Sequence, residues 1–155
     1  MPQGSLDASV TPLLPDPSVT TLKLSVESLE SETSSAGVTT LTLSSDVLFD
    51  FGKATLTSTA QQKVAQISAR LARARGTVSV VGHTDAIGTS QANQALSQAR
   101  AQTVRSALLQ GLAAKPVQIA ASGVGETQPV TPDQVGGKDN PAGRAKNRRV
   151  VITFR

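Results

Sequence analysis

The chain has 155 residues, enough for one domain and an extension, with no cysteine and a formal net charge of +4. The missing thiols exclude a disulfide framework, a thiolate nucleophile and a zinc–thiolate centre. Three Phe stand without any Trp or Tyr, so stacking on nucleic-acid bases is poorly served and the core must be built from Val, Leu, Ile and Ala. The charge is divided: residues 1–51 hold one basic side chain, Lys23, and seven acids, against fourteen basic and four acidic side chains in the remainder. Such a basic part fits an anionic partner (cell-wall polymer, phospholipid surface or nucleic acid) or serves solubility alone, and charge does not choose. No stretch approaches the ~20 apolar residues of a membrane span, and Met1-Pro2-Gln3-Gly4 lacks the basic and apolar regions of a signal peptide.

Residues 1–18 carry four of the eight prolines and read as a linker. Within an extension over 19–44, Leu22, Leu24 and Val26 alternate with strand period, although Leu22, Val26 and Leu29 also allow a helix. We expect a hairpin of 20–29 with 38–44, joined by a Ser- and Glu-rich loop over 30–37. Val47 to Phe51 continues as an extended segment, with Val47, Phe49 and Phe51 on one side and Asp50 on the other. Thr57 or Ser58 caps a helix running to about Arg75. Ala60, Val64, Ile67 and Leu71 form its core stripe. Arg70, Arg73 and Arg75 load its C-terminal end, and Gly76 stops it.

Residues 77–82 are largely apolar and β-branched, as a central strand requires. A second helix runs from Ser90 or Gln91 to Gln110 and ends at Gly111, with Pro116 beyond. Leu96, Val104 and Leu108, with Ala99, Thr103 and Ala107, supply its packed side. Val117 to Ala121 is a third strand, 122–147 is long and irregular, and Val150 to Phe154 is an alternating last strand. The order β-α-β-α-β-β predicts an α+β fold: a two-layer sandwich with a mixed sheet, helices on one face, and an N-terminal β-hairpin extension.

The stretch Val78–Gly88 reads as a buried strand running into a loop that holds Asp85. Arg100 follows on the next helix, with Asn93 and either Leu96 or Ser97 near the same face. Ligands of open α/β sheets bind where strands end and helices begin. One acid and one fixed base there suit a small zwitterion, and they equally suit an internal Asp85–Arg100 ion pair. His83, the only histidine, shares a side with Asp85. The pair lacks the third group a nucleophile needs, no Gly-x-Ser-x-Gly occurs, and a metal needs more ligands. We therefore read His83 as structural, hydrogen-bonded near the strand end. We expect no catalysis, no cofactor and no metal. Asp50, read on its own neighbours, is a turn acid before Gly52. Arg144, Lys146, Arg148 and Arg149 admit three readings: a solvated face, a nucleic-acid patch lacking any groove-reading motif, or one wall of a pocket.

Five pieces occur together in order: Val47-Leu48-Phe49-Asp50-Phe51-Gly52-Lys53; Gly82-His83-Thr84-Asp85 with Gly88; Asn93, Leu96-Ser97 and Arg100-Ala101; Gly123-Val124-Gly125-Glu126 with Pro129; and Asn147-Arg148-Arg149-Val150. Together they resemble the OmpA-like peptidoglycan-binding domain of outer-membrane protein tails, peptidoglycan-associated lipoproteins and flagellar stator subunits. The resemblance runs from about Leu43 to Arg155 and implies such a domain over 45–155. It implies a non-catalytic module in the cell envelope, periplasmic or wall-facing, with a targeting segment upstream of Met1. Its ligand would be the diaminopimelate of the stem peptide in peptidoglycan, with no nucleic acid involved. Asp85 would take the ammonium and Arg100 the carboxylate, and Thr84, Asn93 and Leu96 would line the pocket. Phe49 and Asp50 would be neighbours, and Arg148 would stand near the bound carboxylate with Arg149 pointing away. The alternative is an envelope scaffold domain that meets a protein or an anionic wall polymer through its basic surface.

Overall fold

The computed structural model describes residues 30–113 and 115–155. The expected linker and residues 20–29 lie outside the described residues. The hairpin forms one segment later than expected, between β1 (Glu30–Ser35) and β2 (Val38–Ser44). Ala36 and Gly37 both have positive φ, 51° and 79°, and such two-residue turns match the twist of the strands they join. The polar β1 is tied to the helix layer by its acids: Glu30 pairs with Lys63, and Glu32 accepts two bonds from Arg70 at 2.8 and 3.0 Å.

Val47–Phe51 is not an extended run. Ser45–Leu48 form one helical turn, α1, with the Ser44 hydroxyl accepting from Asp46 N. Phe49 then bridges Leu56. The turn breaks the alternation, so Phe49 is 2% exposed and Phe51 100% exposed. Helix α2 (Ser58–Leu71) is capped by Thr57, and Ala60, Val64, Ile67 and Leu71 are buried as their spacing predicts. It stops short of Gly76, so only Arg70 stands in its last turn, where it pairs with Glu32 and lies 5.7 Å from the Phe154 ring centre.

Strand β3 (Thr77–His83) leads to α3 (Ser90–Leu112), capped by Thr89. Gly111 does not end this helix. A Cβ there would strike the Ser68 side chain on α2, so the glycine is spent on helix contact and Ala113 makes the left-handed cap. The buried stripe of α3 is Asn93, Ser97, Arg100, Ala101, Val104, Leu108 and Leu112. Leu96 and Ala99 lie off it, Leu96 half-buried and Ala99 exposed. Strand β4 (Gln118–Gly123) follows. The expected loop then holds a short ribbon, β5 (Gln134–Val135) with β6 (Lys138–Asp139), and the helix α4 (Pro141–Asn147) before β7 (Arg149–Phe154).

The fold is mixed α+β, with one five-stranded sheet in the order β1-β2-β7-β3-β4. Among the described residues only β3 and β4 are parallel, joined by α3. The sheet residues Leu41, Leu43, Val78, Val80, Ile119, Val150 and Ile152 face the helices, and all are buried. Two glycines set the closeness of the layers. A Cβ on Gly82 would meet the Ser97 carbonyl, and one on Gly123 would meet Gln98 N and the Ser97 hydroxyl.

Gly123→Ala should therefore force α3 off the sheet, at the ~1–3 kcal/mol typical of overpacking. Thermal unfolding followed by circular dichroism should show a lower Tm; an unchanged Tm would contradict the contact.

Candidate functional site

The tight approach of α3 lays its N-terminal half against the loop that follows β3. That loop is held from several sides. Thr84 N donates to Gly125 O at 2.9 Å. The Thr84 hydroxyl and the Asn93 amide both donate to Asp85 O, at 2.8 and 3.3 Å. Ala86 N donates to Asp133 Oδ2 at 2.6 Å. Asp133 also accepts from Asn147, whose wholly buried side chain accepts Val130 N and donates to Thr131 O as well. The long segment before β7 is thus buttressed to the Asp85 loop through one asparagine.

A cleft of about 380 Å³ opens between these elements. It brings together seven of the eight expected residues: Asp85, Arg100, Thr84, Asn93, Leu96, Phe49 and Arg148. Asp50 is exposed and does not line it; its carbonyl closes a turn by accepting Lys53 N at 2.9 Å. The acid beside the cleft is Asp46 instead, carried there by the unforeseen turn α1. Arg144, which the sequence offers only as a member of the basic cluster, also lines the cleft. The helix-start signal Asn140-Pro141 was present, and on that helix Arg144 stands one turn before Arg148. Phe51 and Ile87, 100% and 60% exposed, complete the rim.

The charges divide unevenly. Arg148 forks onto Asp46, Nε to Oδ1 at 2.9 Å and Nη2 to Oδ2 at 3.0 Å, and its Nη1 reaches Asp85 Oδ2 at 2.7 Å. The Asp46 bonds, with the one to Asp85, raise its pKa above the ordinary guanidinium value. Arg144 is held by Asp139 and comes within 4.0 Å of Asp85 Oδ2. Asp85 Oδ1 accepts Ile87 N at 3.1 Å.

Arg100 is different. It is 5% exposed, and burial pulls its pKa down. Its Nε donates to Lys53 O at 2.9 Å, and its guanidinium lies 5.1 Å from the Phe49 ring centre. Among the described residues no carboxylate pairs with it within 4.0 Å. The internal Asp85–Arg100 ion pair that the sequence allowed is therefore not formed. Phe49 sits beneath the guanidinium and orients it.

His83 is 4% exposed, and its Nδ1 has no hydrogen-bond partner among the described residues. This departs from the expected hydrogen-bonded histidine. It lies opposite Arg149 in the β3–β7 register. Arg149 points away from the cleft, as strand alternation requires, and donates to Asn147 O and Gln128 O. Among the described residues no three His, Asp or Glu side chains converge as a metal site, and no helix is long and apolar enough to cross a membrane.

The model of the OmpA family matches residues 48–148. Outer membrane protein A of Klebsiella aerogenes is 44% identical over 124 residues, covering 73% of this chain and 34% of that protein. The chain thus spans about a third of the length of that relative. Among solved structures, the cell wall anchor of the T6SS from Pseudomonas aeruginosa superposes with a TM-score of 0.71 at 29% identity, over 88% of this chain and 94% of that one. The peptidoglycan-associated lipoprotein from Burkholderia pseudomallei gives 0.55 at 29% identity, over 70% and 88%.

Burial, with the Arg149 charge, lowers the pKa of His83 from 6.5 to about 4. Between those values the unfolded chain binds the extra proton, so this group's stabilising contribution is present above pH 6.5 and is lost as pH falls toward 4. The Tm should drop across that window, and His83→Gln should flatten the drop relative to wild type. Parallel pH profiles would show that His83 is not its source.

Proposed function

The chain belongs to the OmpA family, and on that premise we propose that it is a non-catalytic module that binds peptidoglycan and so ties a cell-envelope protein to the wall. The module is assigned to residues 45–155, with 1–18 as a linker and 19–44 as an added extension. Its ligand is the amino-acid centre of diaminopimelate in the stem peptide. Asp85 faces the ammonium, sharing its carboxylate with Arg148. Arg100 takes the carboxylate through its terminal nitrogens as a paired, charge-assisted contact. Thr84 and Asn93 act by fixing the Asp85 backbone, and Leu96 and Phe51 border the side-chain arm.

The observation that carries this reading is the state of Arg100, a buried cation with no protein carboxylate within ion-pairing distance among the described residues. Burying a charge is costly unless it is paired, so a cation kept this way in a cleft calls for an anion from outside. A zwitterion leaves the charge of the cleft unchanged. Lysine is no substitute, because the paired contact needs the planar fork. Two neighbours are named for the wall, a cell wall anchor and a peptidoglycan-associated lipoprotein, and this supports the choice of polymer. One small polar ligand binds weakly; many such sites on one polymer supply the strength.

Pulldown with purified peptidoglycan should fall about tenfold or more for Asp85→Ala, for Arg100→Ala and for Arg100→Lys, the loss expected when a charge-assisted contact goes. The stability of Arg100→Ala discriminates further. Removing one member of a buried ion pair costs ~3–5 kcal/mol, whereas removing a cation held by one carbonyl and an aromatic face lowers Tm only slightly, because the desolvation cost of the charge is relieved with it. A steep fall in Tm, or full wall binding by the three variants, would defeat this reading. Retained surface association without stem-peptide binding would favour the scaffold alternative.

A further inference from the structure

Arg148 and Asp46 also border a second groove, of about 500 Å³. It runs past Thr42, Val130, Lys146 and Arg149. Thr42 and Arg149 alternate with the helix-facing residues of their strands, so this groove lies toward the sheet face turned away from the helices.

Its charges do not balance. Two acids line it, and each already has a cation: Glu30 is paired with Lys63, and Asp46 with Arg148. Lys146 and Arg149 have no carboxylate within ion-pairing distance among the described residues. Arg149 is 7% exposed and among the described residues donates only to carbonyl oxygens, Asn147 O at 3.2 Å and Gln128 O at 3.0 Å. Carbonyls offer partial charge, and burial alone lowers its pKa with no acid to offset it. Beside it, His83 is buried with an unpartnered Nδ1 and contributes no negative charge. Val130, 60% exposed, gives the groove an apolar edge.

We propose that this second groove is a carboxylate subsite, in which Lys146 and Arg149 hold another anionic group of the same wall peptide whose amino-acid centre lies between Asp85 and Arg100. The inference rests on the reading of the cleft given above. The shared wall supplies the continuity: a peptide crossing over Arg148 passes from one hollow to the other without leaving the protein. The subsite makes the module sensitive to the charge of the residues flanking diaminopimelate, where the first cleft senses diaminopimelate alone.

Calorimetric titration of the full chain tests this with three probes. They are free diaminopimelate, a diaminopimelate-containing stem peptide with its flanking carboxylates free, and the same peptide with those carboxylates amidated. Amidation should weaken binding to wild type by about fivefold, in the range of a partly exposed ion pair. The acid-to-amide ratio should fall toward one in Lys146→Gln and in Arg149→Gln. Lys146 is exposed, so its variant remains informative even if Arg149→Gln fails to fold. Equal affinity of wild type for the two peptides overturns the subsite, as does an acid preference that survives in Lys146→Gln. If neither free diaminopimelate nor either peptide binds, the cleft reading falls first and this one with it.

Discussion

The close approach of α3 to the sheet at Gly82 and Gly123 is the contact on which the rest depends. Neither glycine leaves room for a side chain beneath Ser97 and Gln98. Because the helix can drop that far, the Ser97 hydroxyl reaches Gly125 N at 2.9 Å, and Gln94 and Gln98 bond the end of β4 at Gly123. These bonds satisfy backbone groups that an edge strand would otherwise leave open. They also settle where the first turns of α3 stand relative to the loop after β3. Asp85 on that loop and Arg100 on that helix owe their common cleft to two missing methyl groups.

Within the cleft, the decisive feature is how unequally the arginines are provided for. Arg148 has two carboxylates and Arg144 has one close partner. Arg100, the most buried of the three, has a carbonyl and an aromatic face. A stability-driven arrangement would give the most buried cation the strongest partner, because its desolvation cost is greatest. The reverse arrangement leaves the most buried cation short of a counter-charge, so stability alone does not account for it. Arg149 repeats the pattern on a smaller scale on the other side of Arg148.

Most of the framework was legible because it depends on short-range pattern. The four-three-four stripe of α2, the β-branched run of β3 and the alternation of β7 each state their own period. The misreadings share another cause. Local rules make Gly76 and Gly111 helix stops, yet α2 ends before Gly76 and Gly111 serves contact with Ser68. The polar run Glu30–Ser35 has a loop's composition, yet it is a strand paired along β2, with its acids received by Lys63 and Arg70 on a distant helix. Asp50 is expected beside the pocket from the resemblance alone, whereas the turn α1 brings Asp46 to the cleft and leaves Asp50 exposed.

By itself the sequence determined the order of the main helices and strands, the two-layer class and the candidates Asp85 and Arg100, which the structure brings to one cleft. These follow from periodicity, capping residues and a motif of several spaced pieces, all carried along the chain. Only the tertiary structure decided how the charges pair: that Arg148 rather than Arg100 reaches Asp85, that Asp46 joins them from 39 residues upstream of Asp85, and that Arg100 has no paired carboxylate among the described residues. Ion pairing depends on distances of a few ångströms between residues far apart in sequence, and the strength of a buried charge's demand depends on its desolvation. Neither quantity exists until the chain is packed.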